Sequence, residues 1–230
     1  MGETVFITGA DRGVGLGLTR CFLQNGDTVF AGQFMPRWKE LEALKEEFPN
    51  TLELIPLDVS DEDSIVRAAK LTAEKTDHID ILAQVAGISG VKDHDKMLQM
   101  LRTNAIGPVC VTEHFLPLMQ EGKKRLCYVS SEAGSVSVAH RDGDSGYCLS
   151  KTALNMAIRL MFNELYKDGF TFRIYHPGWV RSYMHGDTKS THGLYEPDES
   201  ARAAFKDFTT DRPCEDVLMM TDIKGEIWPF

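Results

Sequence analysis

The sequence predicts a doubly wound α/β fold, in which a parallel sheet of about seven strands carries helices on both faces. Short runs of β-branched and aromatic residues alternate with segments whose apolar residues recur at helical spacing. A glycine-rich turn joins the first of these strands to the first helix. The 230 residues are 43% hydrophobic and 26% charged, which fits a single globular domain covering residues 1–230.

The elements follow one another in regular alternation. The predicted strands cover 5–7, 28–31, 52–59, 79–86, 125–130 and 170–175. The first predicted helix begins at Val14, and the later ones cover 38–48, 64–76, 97–119 and 147–166. Strands that alternate with helices are joined by right-handed crossovers, so we expect a parallel sheet. Ligands of such sheets bind beyond the carboxyl ends of the strands.

Composition narrows the classes of partner. A formal net charge of −9 disfavours nucleic acid and anionic membranes, because phosphate binding needs clustered Lys and Arg. No apolar run approaches the roughly 20 residues that cross a bilayer, and the opening MGETVFITG lacks a signal-peptide pattern. The five cysteines are far apart and lack metal-ligand spacing. We therefore expect a cytoplasmic protein with reduced thiols, a small-molecule partner and no metal.

The turn after the first strand reads T-G-A-D-R-G-V-G, over residues 8–15. Its glycines allow the backbone to approach a pyrophosphate, and the helix that follows presents unpaired N–H groups to that anion. The turn therefore predicts a dinucleotide site. The predicted contacts are Gly9, Arg12, Gly13, Val14 and Gly15. The alternative is a tight connection between strand and helix without a ligand.

The surroundings of this turn favour NADP(H) over NAD(H). Arg12 is placed to pair with a 2′-phosphate, and Arg37 is a second candidate. The second strand ends at Gln33, without the carboxylate that binds a ribose 2′-OH. The alternative for Arg12 is a solvated side chain. Asp58 and Val59, after the third strand, are predicted to contact the adenine, although Asp58 could equally cap the next helix.

Tyr147 and Lys151 lie at i and i+4 of a predicted helix and so share one face. A free phenol has a pKa of about 10, and a nearby ammonium stabilises the phenolate and lowers that pKa. A carbonyl that accepts a hydride also needs a proton on its oxygen, and a tuned phenol can supply it. The pair is the central chemical feature of the sequence.

The combination of this pair with three other features is more specific than the pair alone. These features are Ser130-Ser131 at the end of a strand, Asn104 in R-T-N-A-I-G, and the glycine turn. Together these residues resemble the short-chain dehydrogenase/reductase family, from near Thr4 almost to the C-terminus. The resemblance implies that Tyr147 is the proton donor and that Lys151 lowers its pKa and holds the nicotinamide ribose. It also implies that Ser131, the second serine of its pair, positions the substrate carbonyl. By the same resemblance Asn104 holds a water of the proton relay.

Two further segments extend the resemblance. H-P-G-W-V-R-S resembles the family's P-G-x-V-x-T segment, which contacts the nicotinamide and the pyrophosphate. The residues implied there are Pro177, Gly178, Val180 and Ser182. Q-V-A-G stands where the family has N-N-A-G, so Ala86 and Gly87 are implied to border the cofactor while Val85 replaces a bracing Asn.

The interval from Ser131 to Tyr147 is longer than in many family members, and the insertion includes residues 139–145. With S-S-x-x-G-S and H-P-G-W-V it resembles the C-factor and Sniffer-like carbonyl reductase branch. That resemblance implies an NADPH-dependent enzyme acting on a carbonyl or alcohol substrate. The alternative is an NAD(P)-binding signalling protein whose turnover is incidental. A purely structural module is a third reading, and it predicts no affinity for dinucleotides.

Three secondary expectations complete the prediction. The helix at 147–166 carries more apolar residues than one buried side requires, which predicts a homodimer or homotetramer. The polar stretch from Ser182 to Glu196 is a candidate lid over the site. His140 and His176 flank the site and are interpreted as structural or solvent-facing residues.

Overall fold

The structure, a computed structural model, describes residues 2–90, 93–184 and 186–230. In these ranges eight strands form one sheet. The strands are β1 (Thr4–Thr8), β2 (Thr28–Gln33), β3 (Leu52–Pro56), β4 (Ile81–Gln84), β5 (Arg125–Val129), β6 (Thr171–His176), β7 (Met220–Asp222) and β8 (Ile227–Trp228). The α-helices are α1 (Gly13–Gln24), α2 (Glu40–Glu47), α3 (Glu62–Ala73), α4 (His94–Leu101), α5 (Gly107–Phe115), α6 (Ser145–Leu165) and α7 (Pro197–Thr209).

The spatial order of the strands is β3-β2-β1-β4-β5-β6-β7-β8. Neighbouring strands pair in parallel from β3 to β7, and β8 pairs antiparallel with β7. The order reverses between β1 and β4, which makes their carboxyl ends the switch point where ligands of such sheets bind. The predicted doubly wound parallel fold is confirmed, with an eighth, two-residue strand added at one edge.

The alternation of side chains along β1 divides the core into two layers. Val5 and Ile7 belong to one apolar cluster, together with residues of α1, α2 and α7. Phe6 belongs to the other, together with residues of α3, α5 and α6, and its ring centroid lies 4.4 Å from that of Phe115. Both faces of the sheet are therefore covered. Within the described ranges, none of the helices has the length and apolar character that would let it cross a membrane.

The prediction of one continuous α-helix over 97–119 is wrong. Its residues fall in α4, a π-helical turn at Arg102–Ile106, α5 and a 3-10 turn at Leu116–Met119. Pro108 lacks an N–H and its ring crowds the carbonyl four residues earlier, so a regular α-helix cannot pass through this point. The π turn that precedes Pro108 accommodates it, and it carries Asn104.

Other bounds also differ from the prediction. β3 ends at Pro56 and β4 at Gln84, short of the predicted ends at Val59 and Ala86. The sequence prediction also missed α7, which begins with a proline and a reciprocal capping box between Glu196 and Glu199. α7 packs closely on α1, because a Cβ on Gly17 would lie 2.8 Å from the Cβ of Ala201.

Candidate active site

The four predicted catalytic residues come from three separate elements and lie at the carboxyl side of the sheet. Tyr147 and Lys151 are in the first two turns of α6, Ser131 follows β5, and Asn104 is in the π turn. Asn104, Ser131 and Lys151 are at most 4% exposed, whereas Tyr147 is only partly buried. Tyr147 as a whole residue is thus the most exposed member of the group, although its hydroxyl is desolvated.

Lys151 lies beneath the phenol. Its Nζ donates a hydrogen bond to Val129 O at 2.9 Å and is 5.9 Å from the centroid of the Tyr147 ring. Burial lowers the pKa of Lys151 to about 8. The ammonium is therefore held by a backbone carbonyl at the end of β5 and readily gives up its charge in mildly alkaline solution.

Burial raises the pKa of Tyr147 to about 12. Ser131 opposes this rise through its hydrogen-bonding hydroxyl, and the negative charge of Glu132 adds to it. The sequence had led us to expect a phenol with a lowered pKa. In the described arrangement desolvation outweighs the hydrogen bond of Ser131 and the positive charge of Arg141, so the phenol keeps its proton more firmly than a free tyrosine does.

Asn104 connects the π turn to two other parts of the site. Its side-chain carbonyl accepts from Ile88 N at 2.8 Å, and its amide donates to Ile88 O at 2.8 Å and to Ser150 Oγ at 3.0 Å. Gly87 lies against this group, since a Cβ there would be 3.4 Å from Asn104 Oδ1 and 3.8 Å from Lys151 Nζ. Asn104 thus braces the segment after β4 against α6. Its implied role in holding a water stays a prediction.

The glycine turn has the conformation that a phosphate-binding loop needs. Gly9 and Gly13 have φ values of +67° and +61°, in the left-handed region that favours glycine. A Cβ on Gly15 would lie 2.0 Å from Gly9 O. A Cβ on Gly13 would meet none of the described atoms within 4 Å, so the space beside the turn is open. The turn and the start of α1, which includes Val14, therefore fit a pyrophosphate.

Arg12 and Arg37 come together at one acidic residue. Arg12 Nη1 lies 3.6 Å and Arg37 Nη2 2.7 Å from Asp187 Oδ1. Arg12 also donates to Tyr183 O at 3.0 Å and lies over the Trp38 ring, 4.8 Å from its centroid. Arg12 is therefore not a freely solvated side chain, and two guanidinium groups converge where a 2′-phosphate was predicted.

Two polar donors in this region stand out. The buried atoms Gln33 Nε2 and Trp38 Nε1 have no hydrogen-bond partner among the described residues. Buried donors are normally satisfied, so such atoms call for a specific explanation. Arg12 and Trp38 line a cavity of about 270 Å³, which Tyr183, Lys189 and the acidic residues Glu40, Glu196 and Asp198 also line. The donor set of this end of the site fits an anionic group such as the phosphate of an adenosine ribose.

The remaining predicted cofactor residues lie at the same side of the sheet. Asp58 accepts from Ser60 N at 2.8 Å and from Ser60 Oγ at 2.7 Å, so its carboxylate closes a turn and does not cap α3, whose N-cap is Asp61. Val59 is 8% exposed and belongs to the core. The predicted contacts of both residues with an adenine stay predictions.

The segment after β6 turns sharply at Gly178, where φ is +76°. Val180 then forms a bridge with Tyr195, and Ser182 N donates to Val180 O at 2.8 Å. The segment thus leaves Pro177 at the end of the strand and passes towards Arg12. Residue 185, within the candidate lid, lies outside the described residues.

Thr8 performs a bracing role that sequence reasoning assigned to a missing Asn. Its Oγ1 accepts from Val85 N at 3.1 Å and from Ala86 N at 3.2 Å. Ala86 also lies against the turn, since a Cβ on Gly9 would be 2.7 Å from its Cα. The replacement of the family Asn by Val85 therefore leaves the ends of β1 and β4 joined.

Glu132 and Arg141 also belong to this site, and sequence reasoning missed both. Glu132 follows Ser131 directly, and Arg141 lies in the insertion before α6. Glu132 accepts hydrogen bonds from Ser131 Oγ at 2.5 Å and from Arg141 Nε at 2.9 Å. A carboxylate beside a candidate catalytic serine was the available signal, but its partner nine residues later was not evident. His176, interpreted as structural, is buried at the end of β6 beside Glu132.

The sheet order and the glycine turn at its switch point define a Rossmann-type domain. The model of the short chain dehydrogenase family matches residues 3–193, so the chain belongs to the short-chain dehydrogenase/reductase family and is an oxidoreductase. An uncharacterised oxidoreductase of Schizosaccharomyces pombe is 33% identical over 196 residues, which are 80% of this chain and 76% of that protein.

Two further similarities confirm the branch that the sequence resembles. C-signal of Myxococcus xanthus is 37% identical over 118 residues, which are 48% of this chain and 71% of that protein. The crystal structure of an NADPH-bound carbonyl reductase from chicken fatty liver superposes with a TM-score of 0.87, at 28% identity and over 99% of both chains.

Proposed function

We propose that this oxidoreductase is an NADPH-preferring carbonyl reductase, which converts a ketone, aldehyde or quinone-like carbonyl to an alcohol or catalyses the reverse oxidation. The observation that carries the proposal is the meeting of Ser131, Tyr147 and Lys151 beside the glycine turn. These three side chains provide two hydroxyl groups and a cation at the carboxyl side of the sheet, where ligands of doubly wound sheets bind, and this supports the proposal.

Each of these residues has a separate role in the proposed reaction. A nicotinamide cofactor, when bound, supplies the hydride to the carbonyl carbon. The Tyr147 phenol donates its proton to the carbonyl oxygen, so the carbonyl becomes an alcohol and a phenolate remains. Ser131 hydrogen-bonds the same oxygen while negative charge develops on it. The buried ammonium of Lys151 stabilises the phenolate until solvent returns a proton.

The preference for NADP(H) rests on Arg12 and Arg37, which converge on one anionic group, and on the unpartnered donors of Gln33 and Trp38. Guanidinium groups bind phosphate well. The chicken carbonyl reductase, with which this chain superposes, is NADPH-bound. Fluorescence titration with NADPH and NADH tests the preference, and a tighter dissociation constant for NADH would overturn it.

Turnover is tested by following the loss of reduced-nicotinamide absorbance with NADPH against dicarbonyls, quinones, aromatic aldehydes and ketosteroids. Tyr147→Phe should lower kcat by about 100-fold or more, because general acid catalysis contributes that much, while NADPH binding is retained. Tyr166→Phe is the matched control, since this tyrosine lies at the far end of α6 and is 38% exposed. Full turnover in Tyr147→Phe would refute the assigned role.

The likeness to C-signal supports a second candidate, an NAD(P)-binding signalling protein whose turnover is incidental. The two candidates differ in a measurable way. A carbonyl reductase turns over at least one compound of the panel and loses that turnover in Tyr147→Phe. Tight NADPH binding without turnover across the panel would favour the signalling role.

We also propose that the protein assembles as a homodimer or homotetramer through α6. Three of its apolar residues face the core of the same chain: Leu154, Ile158 and Phe162. Leu149, Met156 and Leu160 are instead 53%, 61% and 60% exposed. They lie at i, i+7 and i+11, on one face of the helix. An exposed apolar stripe of this kind is typical of an interface between copies.

A further inference from the structure

Asp11 is a buried carboxylate within the glycine turn. The residue is 4% exposed, and an aspartate is seldom buried to this extent without partners. The next residue in the chain is Arg12, one of the two arginines at the predicted 2′-phosphate site. Asp11 is therefore buried beside the part of the site that is proposed to distinguish NADPH from NADH.

Both carboxylate oxygens of Asp11 accept hydrogen bonds from the backbone of one short segment. Oδ2 accepts from Phe34 N at 3.0 Å, and Oδ1 accepts from Met35 N at 2.9 Å. These two residues follow the end of β2 directly. A third bond runs from Ala10 N to Gly32 O at 3.3 Å. The glycine turn thus fixes the course of the chain as it leaves β2.

The segment that Asp11 holds continues into a tight turn that carries Arg37 and Trp38. Met35 O accepts from Trp38 N at 2.9 Å, which closes a β-turn with Arg37 at its third position. Pro36 takes the second position, where the fixed φ of proline is favourable. Met35 is therefore bonded through both of its backbone groups, through N–H to Asp11 and through its carbonyl to Trp38. This link sets the place of the turn relative to the glycine turn.

The turn returns to Arg12. The central guanidinium carbon of Arg12 lies 4.8 Å from the centroid of the Trp38 ring. The guanidinium groups of Arg12 and Arg37 both contact the carboxylate of Asp187, at 3.6 Å and 2.7 Å. Asp11 therefore positions both groups, that of Arg12 through the chain and that of Arg37 through the bonded turn.

The double contact requires an aspartate at position 11. An aspartate presents two acceptor oxygens, whereas an asparagine of the same shape presents one acceptor and one donor. With an asparagine, the N–H of Phe34 or of Met35 would face an amide N–H and lose its partner, which is costly for a desolvated group. A glutamate keeps both oxygens but places them one methylene farther from the backbone.

We infer that Asp11 is a positioning residue for cofactor selectivity: by holding the segment after β2, it sets Arg37 beside Arg12 so that a 2′-phosphate can contact both guanidinium groups. The inference rests on the proposed function and deepens it. It assigns the preference for NADP(H) to the way in which the turn is held, and not to the two arginines alone. Asp11 needs no contact of its own with the cofactor.

The test is the ratio of the dissociation constants for NADPH and NADH, measured by fluorescence titration of the intact protein. Asp11→Asn should weaken NADPH binding by about tenfold, the effect of one lost hydrogen bond. NADH has no 2′-phosphate, so its dissociation constant should change by less than about twofold. A merely structural role would weaken the binding of both cofactors equally, and that result would overturn the inference.

A second substitution separates position from charge. Loss of a negative charge near a phosphate would by itself favour the phosphate, so a purely electrostatic role predicts tighter NADPH binding in Asp11→Asn. Asp11→Glu keeps the charge but displaces the carboxylate, and it should lower the selectivity as Asp11→Asn does. Tighter NADPH binding in Asp11→Asn, or full selectivity in Asp11→Glu, would refute the positioning role.

Asp27→Asn is the matched control. Asp27 lies just before β2, at the opposite end of the strand, and is 1% exposed. Its carboxylate accepts from Glu3 N at 2.8 Å and from Asn25 Nδ2 at 3.0 Å. Its replacement removes a similar buried contact and should lower stability without changing the ratio of the two dissociation constants. An equal loss of selectivity in Asp27→Asn would show that destabilisation, and not the position of the turn, causes the effect.

A double-mutant cycle tests whether Asp11 acts through Arg37. Arg37→Gln should weaken NADPH binding in the wild-type background and have little further effect in Asp11→Asn, because residues that share one set of contacts are not additive. Losses that add fully would show that Asp11 does not act through Arg37 and would overturn the inference.

Hydrogen exchange over residues 33–38 provides a readout that needs neither turnover nor a dinucleotide. Exchange of this segment should be faster in Asp11→Asn than in wild type or Asp27→Asn, because the N–H groups of Phe34 and Met35 lose an acceptor. The two proposals then fail separately. Tighter binding of NADH than of NADPH by the wild type refutes the proposed preference, even where the segment exchanges faster. Exchange that is no faster in Asp11→Asn refutes the anchoring, even where NADPH is preferred.

Discussion

Replacing Asp187 with asparagine removes a negative charge that both Arg12 and Arg37 contact. Its Oδ1 lies 3.6 Å from Arg12 Nη1 and 2.7 Å from Arg37 Nη2. A 2′-phosphate that binds these guanidinium groups competes with the carboxylate for them. We therefore expect Asp187→Asn to bind NADPH more tightly and to bind NADH, which has no 2′-phosphate, with unchanged affinity.

The size of the effect follows from the exposure of these ion pairs. The side chain of Asp187 is 63% exposed, that of Arg37 66% and that of Arg12 20%. Exposed pairs contribute about 0.2–1 kcal/mol each, so the two together oppose the phosphate by about 1 kcal/mol. Since about 1.4 kcal/mol corresponds to a tenfold change, NADPH should bind about fivefold more tightly. Added salt should reduce this difference.

The assay is a fluorescence titration of wild type and variant with NADPH and with NADH, at low and moderate ionic strength. Asp168→Asn makes the same change of net charge at an exposed residue after α6 and is the control. An NADPH affinity that is unchanged or weaker in Asp187→Asn would show that the carboxylate does not compete. Equal tightening of NADPH and NADH would show that the effect does not involve the 2′-phosphate.

Three further predictions concern the glycine turn and the surface of α6. Gly15→Ala places a Cβ 2.0 Å from Gly9 O, and overpacking of about 1–3 kcal/mol should lower the melting temperature by roughly 3–10 °C and disrupt NADPH binding. Gly13→Ala should weaken NADPH binding more than about tenfold but cost only about 1–2 kcal/mol of stability, because its Cβ enters open space; tight binding in this variant would contradict the site. Leu160→Glu should separate the subunits without loss of helical circular dichroism, and an unchanged mass by light scattering would exclude this face as the interface.

Much of the fold is evident in local patterns. The spacing of apolar residues separates strands from helices, and side-chain alternation in β1 already divides Val5 and Ile7 from Phe6. The errors also have local causes. A π turn ahead of Pro108 interrupts the regular α-helix predicted over 97–119, and the capping box at Glu196 begins a helix that the prediction left out.

Part of the candidate site could be predicted because the glycine turn, Ala86-Gly87, Ser131 and the segment at Pro177 each follow the end of a strand, and parallel strands bring those ends to one edge. Tyr147 and Lys151 were predicted from their spacing on one helix. Which of these residues touch was not predictable. Contacts such as Ile88 with Asn104, at 2.8 Å, join loops that no short-range pattern connects. The pKa of Tyr147 likewise depends on burial, which reversed the direction expected from its spacing to Lys151.

By itself the sequence determined the doubly wound fold, the glycine turn and the placement of Tyr147 and Lys151 on one helix face, because periodicity and turn chemistry act within a few residues. Only the tertiary structure decided that Arg141 fastens Glu132 to the serine hydroxyl and that Asp187 meets Arg12. Those pairings depend on how loops from separate elements fold over one edge of the sheet. Ion pairs between residues that are far apart in the sequence produce no periodic pattern from which they could be predicted.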